Sequence, residues 1–285
     1  MTRVGTRGAH AVPMTDHRTT PSRSALRTAR AALRDLLGLV VPVACAGCGR
    51  EDVPWCPVCA GLLAGPARRC EQDAPRLDLV DRTLVPVWAV APYAGPVRAA
   101  VGAWKDGGRA DLDAAFAAAV AAAGRQVAHA GLPRPPGGEA VLVVPVPSTA
   151  AARRRRGRAP VGALAAGVAA GLRSGGRSAT ARPALARRGG ADLAGLGARD
   201  RVRAVAGRVH VRAHHDVRGV VVVLVDDVLT TGATLAACVR TLRDAGADVA
   251  GCCVLAATPS PSARSPAGTA TPVGVPAADG ARRSR

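Results

Sequence analysis

Val221-Val222-Val223-Leu224-Val225-Asp226-Asp227-Val228-Leu229-Thr230-Thr231-Gly232-Ala233-Thr234-Leu235 runs an apolar stretch into two carboxylates and then into a short loop rich in hydroxyls. The aliphatic run suits a strand buried on both faces, as in a parallel sheet covered by helices. The acids then fall at its C-terminal end, the edge at which open α/β sheets bind ligands. Beyond the loop, Leu235, Cys238, Val239 and Leu242 recur at helical spacing, Gly246 is a stop signal, and Val249 to Ala257 forms the next strand pattern. Thr230, Thr231 and Thr234 around Gly232 would bring backbone N–H groups, hydroxyls and the positive end of the helix to one point, which favours an anion. The loop has neither a Gly-Lys-Ser/Thr ending nor Gly-x-Gly-x-x-Gly, so the nucleotide P-loop and the dinucleotide fingerprint do not apply.

Upstream lies a second constellation, Cys45-Ala-Gly-Cys48 followed by Cys56-Pro-Val-Cys59. Two such pairs can place four thiolates around one zinc ion, each pair forming a knuckle whose small residues permit the tight turn. A thioredoxin-like redox role needs one pair in a βαβ setting, and neither condition holds here. With Cys45, Cys48, Cys56 and Cys59 all ligating, the site is closed and stabilises a small module rather than performing chemistry. Cys70 stands outside both pairs, and Cys238, Cys252 and Cys253 fall on the helix and strand patterns as core thiols.

The 285 residues suffice for one sizeable domain with attachments. Residues 1–30 and 259–285 are poor in apolar periodicity and rich in Arg, Ser, Thr or Pro, the composition of disordered tails. Residues 1–30 lack the apolar run of a signal peptide, and no apolar run has the length of about 18 residues that spans a bilayer. The chain is therefore expected to be cytoplasmic, with its eight cysteines reduced or metal-bound.

The formal net charge is +19, of which the two tails carry +5 and +3, leaving +11 on the folded part. That surplus favours anionic partners such as sugar phosphates, nucleic acid or an anionic membrane surface. Lys105 is the lone lysine against 38 arginines, a bias that looks compositional and weakens arginine abundance as a nucleic-acid signal. At 2% aromatic residues the chain also has few platforms on which single strands could stack.

The stretch 221–235 resembles the phosphoribosyl diphosphate (PRPP) motif of the type I phosphoribosyltransferases, through its paired acids and its Thr-Thr-Gly-Ala-Thr turn. The resemblance implies that Asp226 and Asp227 hold the ribose 2′ and 3′ hydroxyls, while Thr230, Thr231, Gly232, Ala233 and Thr234 wrap the 5′-phosphate. A double cysteine knuckle ahead of such a motif is the layout of the ComF-like family, and the likeness extends from about Leu36 to Thr258. Tyr93-Ala-Gly-Pro-Val-Arg98 followed by Trp104-Lys105-Asp106-Gly107-Gly108-Arg109 looks like that family's Tyr-x-Gly segment and Lys-containing turn, which makes Lys105 a PRPP ligand by resemblance. Val143-Val144-Pro145-Val146-Pro147-Ser148 looks like its Pro-Val-Pro strand end, whose loop, with Ser148, lies against the diphosphate. Arg153 to Arg156, with Gly157 and Arg158, match its basic Arg-Gly segment.

Four consecutive arginines on a helix splay around its axis, so most of them face solvent and one or two can clamp a diphosphate. Arg156 beside Gly157 is the residue expected to do so. A nucleic-acid surface and a plain solvated face are the competing uses of the run. Gly157 and Pro160 indicate a loop or helix start rather than a long basic helix. The chain also departs from its relatives: Arg156-Gly157-Arg158-Ala159-Pro160 stands where many continue Arg-Gly-Phe-Asn-Gln. In the Gly/Ala/Arg-rich segment 173–203, expected to act as a lid, Asp192-Leu193, Arg201 and Ala204 stand around positions where Asp-Gln, Arg and Asn are usual.

The architecture expected is an α/β domain over 82–258, a type I phosphoribosyltransferase-like parallel sheet flanked by Ala-rich helices such as 111–123 and 161–172. A small zinc-ribbon-like module at 31–75 precedes it. By resemblance the protein binds PRPP with Mg²⁺ and transfers the phosphoribosyl group to a nitrogenous acceptor with release of diphosphate. The rival is a PRPP- or nucleotide-binding accessory protein without turnover, acting in DNA uptake (competence) or regulation, with single-stranded DNA or the competence machinery as its partner. No histidine stands out as a general base; His129, His210, His214 and His215 fall in polar stretches that suit the surface.

Overall fold

The computed structural model describes residues 43–73, 85–135, 138–188 and 208–259. Residues 1–30, residues 31–42 of the cysteine module, residues 189–203 of the expected lid and residues 260–285 of the C-terminal tail lie outside the described residues, whereas 173–188, also expected to belong to the lid, holds the end of a helix and two short strands that pair with neighbours. Contacts divide the chain between Val43 and Ala44, and the architecture is that of the unit beginning at Ala44.

This unit opens with the cysteine loops, helix α1 (Pro57–Gly61) and strand β1 (Arg68–Arg69). Strand β2 (Val87–Pro92), helices α2 (Gly95–Lys105) and α3 (Asp113–His129) and strand β3 (Val141–Pro145) come next. Helices α4 (Ala150–Arg156) and α5 (Pro160–Ser174) lead into the short strands β4 (Ala179–Ala181), β5 (Leu185–Arg187) and β6 (Val209–Val211). Strand β7 (Val221–Leu229), helix α6 (Ala233–Asp244) and strand β8 (Asp248–Ala257) follow.

The main sheet has the order β1-β2-β8-β7-β3-β4. Every pairing from β2 to β4 is parallel, and β1 adds an antiparallel edge. Strands β5 and β6 form a separate antiparallel ribbon. The fold is the α/β class expected, with small antiparallel additions whose strands of two or three residues leave no periodicity to read.

Alternation along β7 explains its unbroken apolar run. Val221, Val223 and Val225 pack into the core that also holds Phe116, Leu164 and Val168 from α3 and α5. Val222 and Leu224 pack on the other face with Leu235, Cys238, Val239 and Leu242 of α6. Side chains of a strand point alternately to opposite faces, so both sets must be apolar when helices cover both. Cys252 and Cys253 on β8 and Cys238 on α6 are fully buried, as core thiols should be.

Helices α3 and α5 meet along a glycine seam. A Cβ at Gly171 would collide with the Ala121 backbone, one at Gly167 with the Ala117 backbone, and one at Gly124 would lie 2.5 Å from the Val168 carbonyl oxygen. The sequence puts these glycines inside helices, where each costs about 1 kcal/mol relative to alanine, because backbone contact at the seam demands it. Helices expected at 111–123 and 161–172 are both longer, since the Ala-rich pattern continues past its most regular part. Among the described residues no helix is long and apolar enough to cross a membrane.

Gly171→Ala should lower stability by about 1–3 kcal/mol through overpacking against backbone that cannot move aside. Gly162→Ala on the same helix, where a Cβ meets nothing within 4 Å, should raise it by up to about 1 kcal/mol through helix propensity. Equilibrium denaturation checks both, and equal effects would contradict the seam.

Candidate functional site

The two acids of β7 stand where one of its neighbours has ended. Pairing of β3 with β7 stops at Pro145 opposite Val225, whereas pairing with β8 continues to Leu229. The gap left beyond β3 opens a cleft of about 440 Å³ lined by Asp226, Asp227, Thr230 and Thr234 from one side. Lys105, Asp106, Pro147, Ser148, Thr149 and Arg156 line it from the others. Thr231, Gly232 and Ala233 join Thr230, Thr234 and Asp226 around an adjoining recess of about 40 Å³. All the residues expected to hold PRPP thus come together at the C-terminal edge of the sheet, although Lys105, Ser148 and Arg156 are far from β7 in sequence.

Strand alternation sends the two carboxyls in different directions. Asp227 is nearly fully buried and its Oδ2 lies 2.6 Å from the Lys105 ammonium. Its Oδ1 accepts a hydrogen bond from the Val228 N–H at 2.8 Å, and Asp226 Oδ1 accepts one from the Asp227 N–H at 2.8 Å. Burial, followed by the charge of Asp227, pushes the Asp226 carboxyl up to about 8. Lys105 is the last residue of α2 rather than part of the turn expected there.

The turn after β7 leaves the start of α6 without a side-chain cap. Gly232 caps α6 with φ 78° and ψ −5°, a left-handed conformation that glycine adopts without strain. The N–H groups of its first turn therefore face the recess with no side-chain acceptor.

Helix α4 is short because Thr149 caps its start, through a 3.2 Å hydrogen bond from the Ala152 N–H, and Gly157 at φ 64° closes it. Its four arginines diverge as expected. Arg153 donates to the Ser148 carbonyl at 2.7 Å, Arg154 is exposed, and Arg155 reaches Asp106 at 3.4 Å. Arg156 bonds Asp106 through Nε at 3.0 Å and Nη2 at 2.8 Å, and these contacts hold Asp106 below the usual carboxylate range. Arg156 therefore lines the cleft with its guanidinium already engaged. Asp106 and Arg187 were not singled out from the sequence. Asp106 carried a signal as the acid next to Lys105, whereas Arg187, on a three-residue strand, had none. The buried Nε of Arg187 lacks a hydrogen-bond partner at the cleft wall. His129 and His214 are exposed as expected and His215 is partly so, but His210 departs from expectation: pairing of β5 with β6 buries its Nδ1 without a partner.

The thiols of Cys45, Cys48, Cys56 and Cys59 converge so that their sulfurs all lie within 4.8 Å of one another. Gly47 is required there, because a Cβ would sit 2.8 Å from Cys59 Sγ. Burial resists ionisation of Cys45, but backbone hydrogen bonds from Cys48, Cys56 and Gly47 outweigh it and bring that thiol down to about 6. Cys59 is pushed upward, by burial first and then by its neighbouring thiols. Arg109 ties the cysteine loops to the turn after α2, donating to the Ala44 carbonyl at 3.0 Å and the Pro54 carbonyl at 2.8 Å.

Residues 176–269 match the family model of the phosphoribosyl transferase domain. The matched segment contains β7, both acids and the Thr230–Thr234 turn, whereas Lys105, Ser148 and Arg156 enter the site through the fold alone. No curated protein matches the chain.

Because the folded Asp226 carboxyl holds its proton to higher pH than an unfolded one, which ionises near about 3.9, the folded state binds more protons between those values. Its contribution to stability is complete below the unfolded value and is lost as pH rises through the folded one. Asp226→Asn should therefore leave stability unchanged near pH 4 and raise it at pH 8 to 9. Thermal melts across pH check this, and a variant parallel to the parent at every pH would overturn it.

Proposed function

We propose that this protein is a type I phosphoribosyltransferase of the ComF-like kind, binding PRPP with Mg²⁺ and transferring the phosphoribosyl group to a nitrogenous acceptor. The observation that carries this reading is the convergence of Lys105, Ser148 and Arg156, all outside the matched segment, on Asp226, Asp227 and the uncapped Thr230–Thr234 turn. A sequence motif alone would not require those three to be there.

In this reading the Thr230–Thr234 turn takes the 5′-phosphate on its free N–H groups and hydroxyls. Asp226 and Asp227 accept hydrogen bonds from the ribose hydroxyls, with the carboxyls close enough to favour positive charge developing at the anomeric carbon. Ser148 and Arg156 face the diphosphate. The acceptor nitrogen forms a bond to C1 as the bond from C1 to the diphosphate oxygen breaks, and that electron pair leaves with diphosphate. The donor set fits Mg²⁺: Asp226 and Asp227 both line the cleft and would offer it hard carboxyl oxygens, and its charge would offset the burial and then the Asp227 charge that push the Asp226 carboxyl up. When bound, the cation neutralises charge on the departing diphosphate. The protein's share is positioning and charge compensation.

Calorimetric titration of PRPP with Mg²⁺ should give saturable binding that weakens at least tenfold in Asp226→Asn/Asp227→Asn. Diphosphate release should then require one member of a panel of nitrogen heterocycles. Absence of PRPP binding would overturn the reading. Binding with no release from any acceptor would favour the accessory role, as would binding of single-stranded DNA that survives removal of residues 1–30 and 259–285.

The four cysteines are assigned to a structural zinc ion. Sulfurs around tetrahedral zinc are separated by about 3.8 Å, given Zn–S bonds of about 2.3 Å, and Cys48 Sγ and Cys56 Sγ lie 3.7 Å apart. Purified protein should carry one equivalent of zinc per chain by elemental analysis, and Cys48→Ser should lower both zinc content and melting temperature. Less than about half an equivalent, with all four thiols titratable, would overturn the assignment.

A further inference from the structure

Beside the cleft, across the loop that follows β3, lies a second cavity of about 290 Å³. Its inner wall is aliphatic, from Pro145, Val161, Ala165 and Leu185, and Arg153, Arg182 and Arg212 stand around it. Among the described residues no carboxylate lines it, and none of the three arginines takes part in an ion pair. We propose that this cavity is a second ligand site, for a small organic acid consisting of one apolar ring bearing a carboxylate.

Three features of the cavity support that class of ligand. First, the arginines are held in place without being neutralised: Arg153 is fixed by the Ser148 carbonyl at 2.7 Å and Arg212 by the Leu185 carbonyl at 3.2 Å. A guanidinium has five N–H donors, so each keeps several for a ligand. Second, the positive field there is strong enough to act on a neighbour. The His215 imidazolium is disfavoured, by burial first and then by His214, Arg182 and Arg212. An uncompensated cluster of this kind beside an apolar wall draws an anion, and a planar fork suits a carboxylate. Third, the volume is at the lower end for ligand pockets, which admits one ring and excludes a nucleotide. A doubly charged phosphate would lose more hydration against an aliphatic wall than a carboxylate does.

The site is separate from the PRPP cleft but shares Val146, Pro147, Ser148 and Val161 with it as a common wall. Gly162 of α5 also lines the cavity, and a Cβ added there meets no atom within 4 Å. It offers a way to fill the space while leaving the arginines untouched.

The test is calorimetric titration of the full chain with benzoate, with benzamide as the uncharged ring and inorganic phosphate as the charge without a ring. Benzoate should bind saturably, and the other two at least tenfold more weakly. Arg182→Gln/Arg212→Gln and Gly162→Leu should each weaken benzoate binding at least tenfold, with circular dichroism confirming the fold. If the arginine variant does not fold, Gly162→Leu decides. Asp226→Asn/Asp227→Asn should leave benzoate binding unchanged, so failure here is distinct from failure of PRPP binding. No saturable benzoate binding, equal binding of benzamide, binding unaffected by Gly162→Leu, or binding lost with the two acids would each overturn the proposal.

Discussion

Burial of β7 on both faces is the constraint from which the site follows. Once helices cover Val221 to Val225 from both sides, alternation leaves no choice about the next two side chains. Asp226 continues the face of Val222 and Leu224 toward α6, where its charge adds to the burial that raises the Cys238 thiol. Asp227 continues the face of Val221, Val223 and Val225 toward α2, where it meets Lys105. A slip of one residue would exchange the two environments and bury the wrong acid against α6, so packing of the hydrocarbon core also sets the register of the charges.

The glycine seam and the cysteine loops serve the same end from further away. Because α3 and α5 touch backbone to backbone, the start of α5 is held close to the end of α2. Arg158 there pairs with Asp113, donates to the Trp104 carbonyl at 3.2 Å and lies 5.5 Å from the centre of the Trp104 ring. Trp104 in turn donates to Asp113 at 2.7 Å and packs edge-on against Phe116, which packs edge-on against Trp55 beside the cysteines. A chain with so few aromatic residues places three of them in one row between the cysteine loops and the helix that carries Lys105. Arg109 adds polar ties along the same line. These contacts tie the cysteine loops to the end of α2, the helix that carries Lys105 into the cleft.

What could be read from the sequence was what is local. Val221 to Leu235 declares a strand, a turn and a helix because its periodicity, glycine and hydroxyls are consecutive, and the four cysteines declare themselves by spacing. The engagement of Arg156 by Asp106 was not legible, since it joins residues 50 apart whose proximity depends on how α4 packs beside α2. Arg187 was missed for a related reason: a three-residue strand has no period, and only its place beside β6 brings it to the cleft. The extension of β7 past the acids was hidden as well, because it depends on β8 continuing after β3 has stopped. Local signals name the chemistry of this site, and the tertiary packing decides which charges are already matched.

Lys105 shows why that matching is specific. The chain uses arginine everywhere except this position. Asp227 has committed Oδ1 to the Val228 N–H, so only Oδ2 is open to a cation. A guanidinium presents a planar fork that gains most from two oxygens, whereas an ammonium is a compact charge that needs one. Asp227 is nearly fully buried, so a fork with unmatched donors would leave polar groups unsatisfied in a confined space. An ion pair so placed gains little net stability, because desolvation of both partners offsets their attraction. Its effect is to hold the Asp227 carboxyl aimed toward α2, while burial and then the charge of Asp227 push the adjacent Asp226 carboxyl upward. Among the described residues the cleft therefore presents one carboxyl already matched by a cation and one without an ion pair, and an incoming cation or hydroxyl donor meets that asymmetry first.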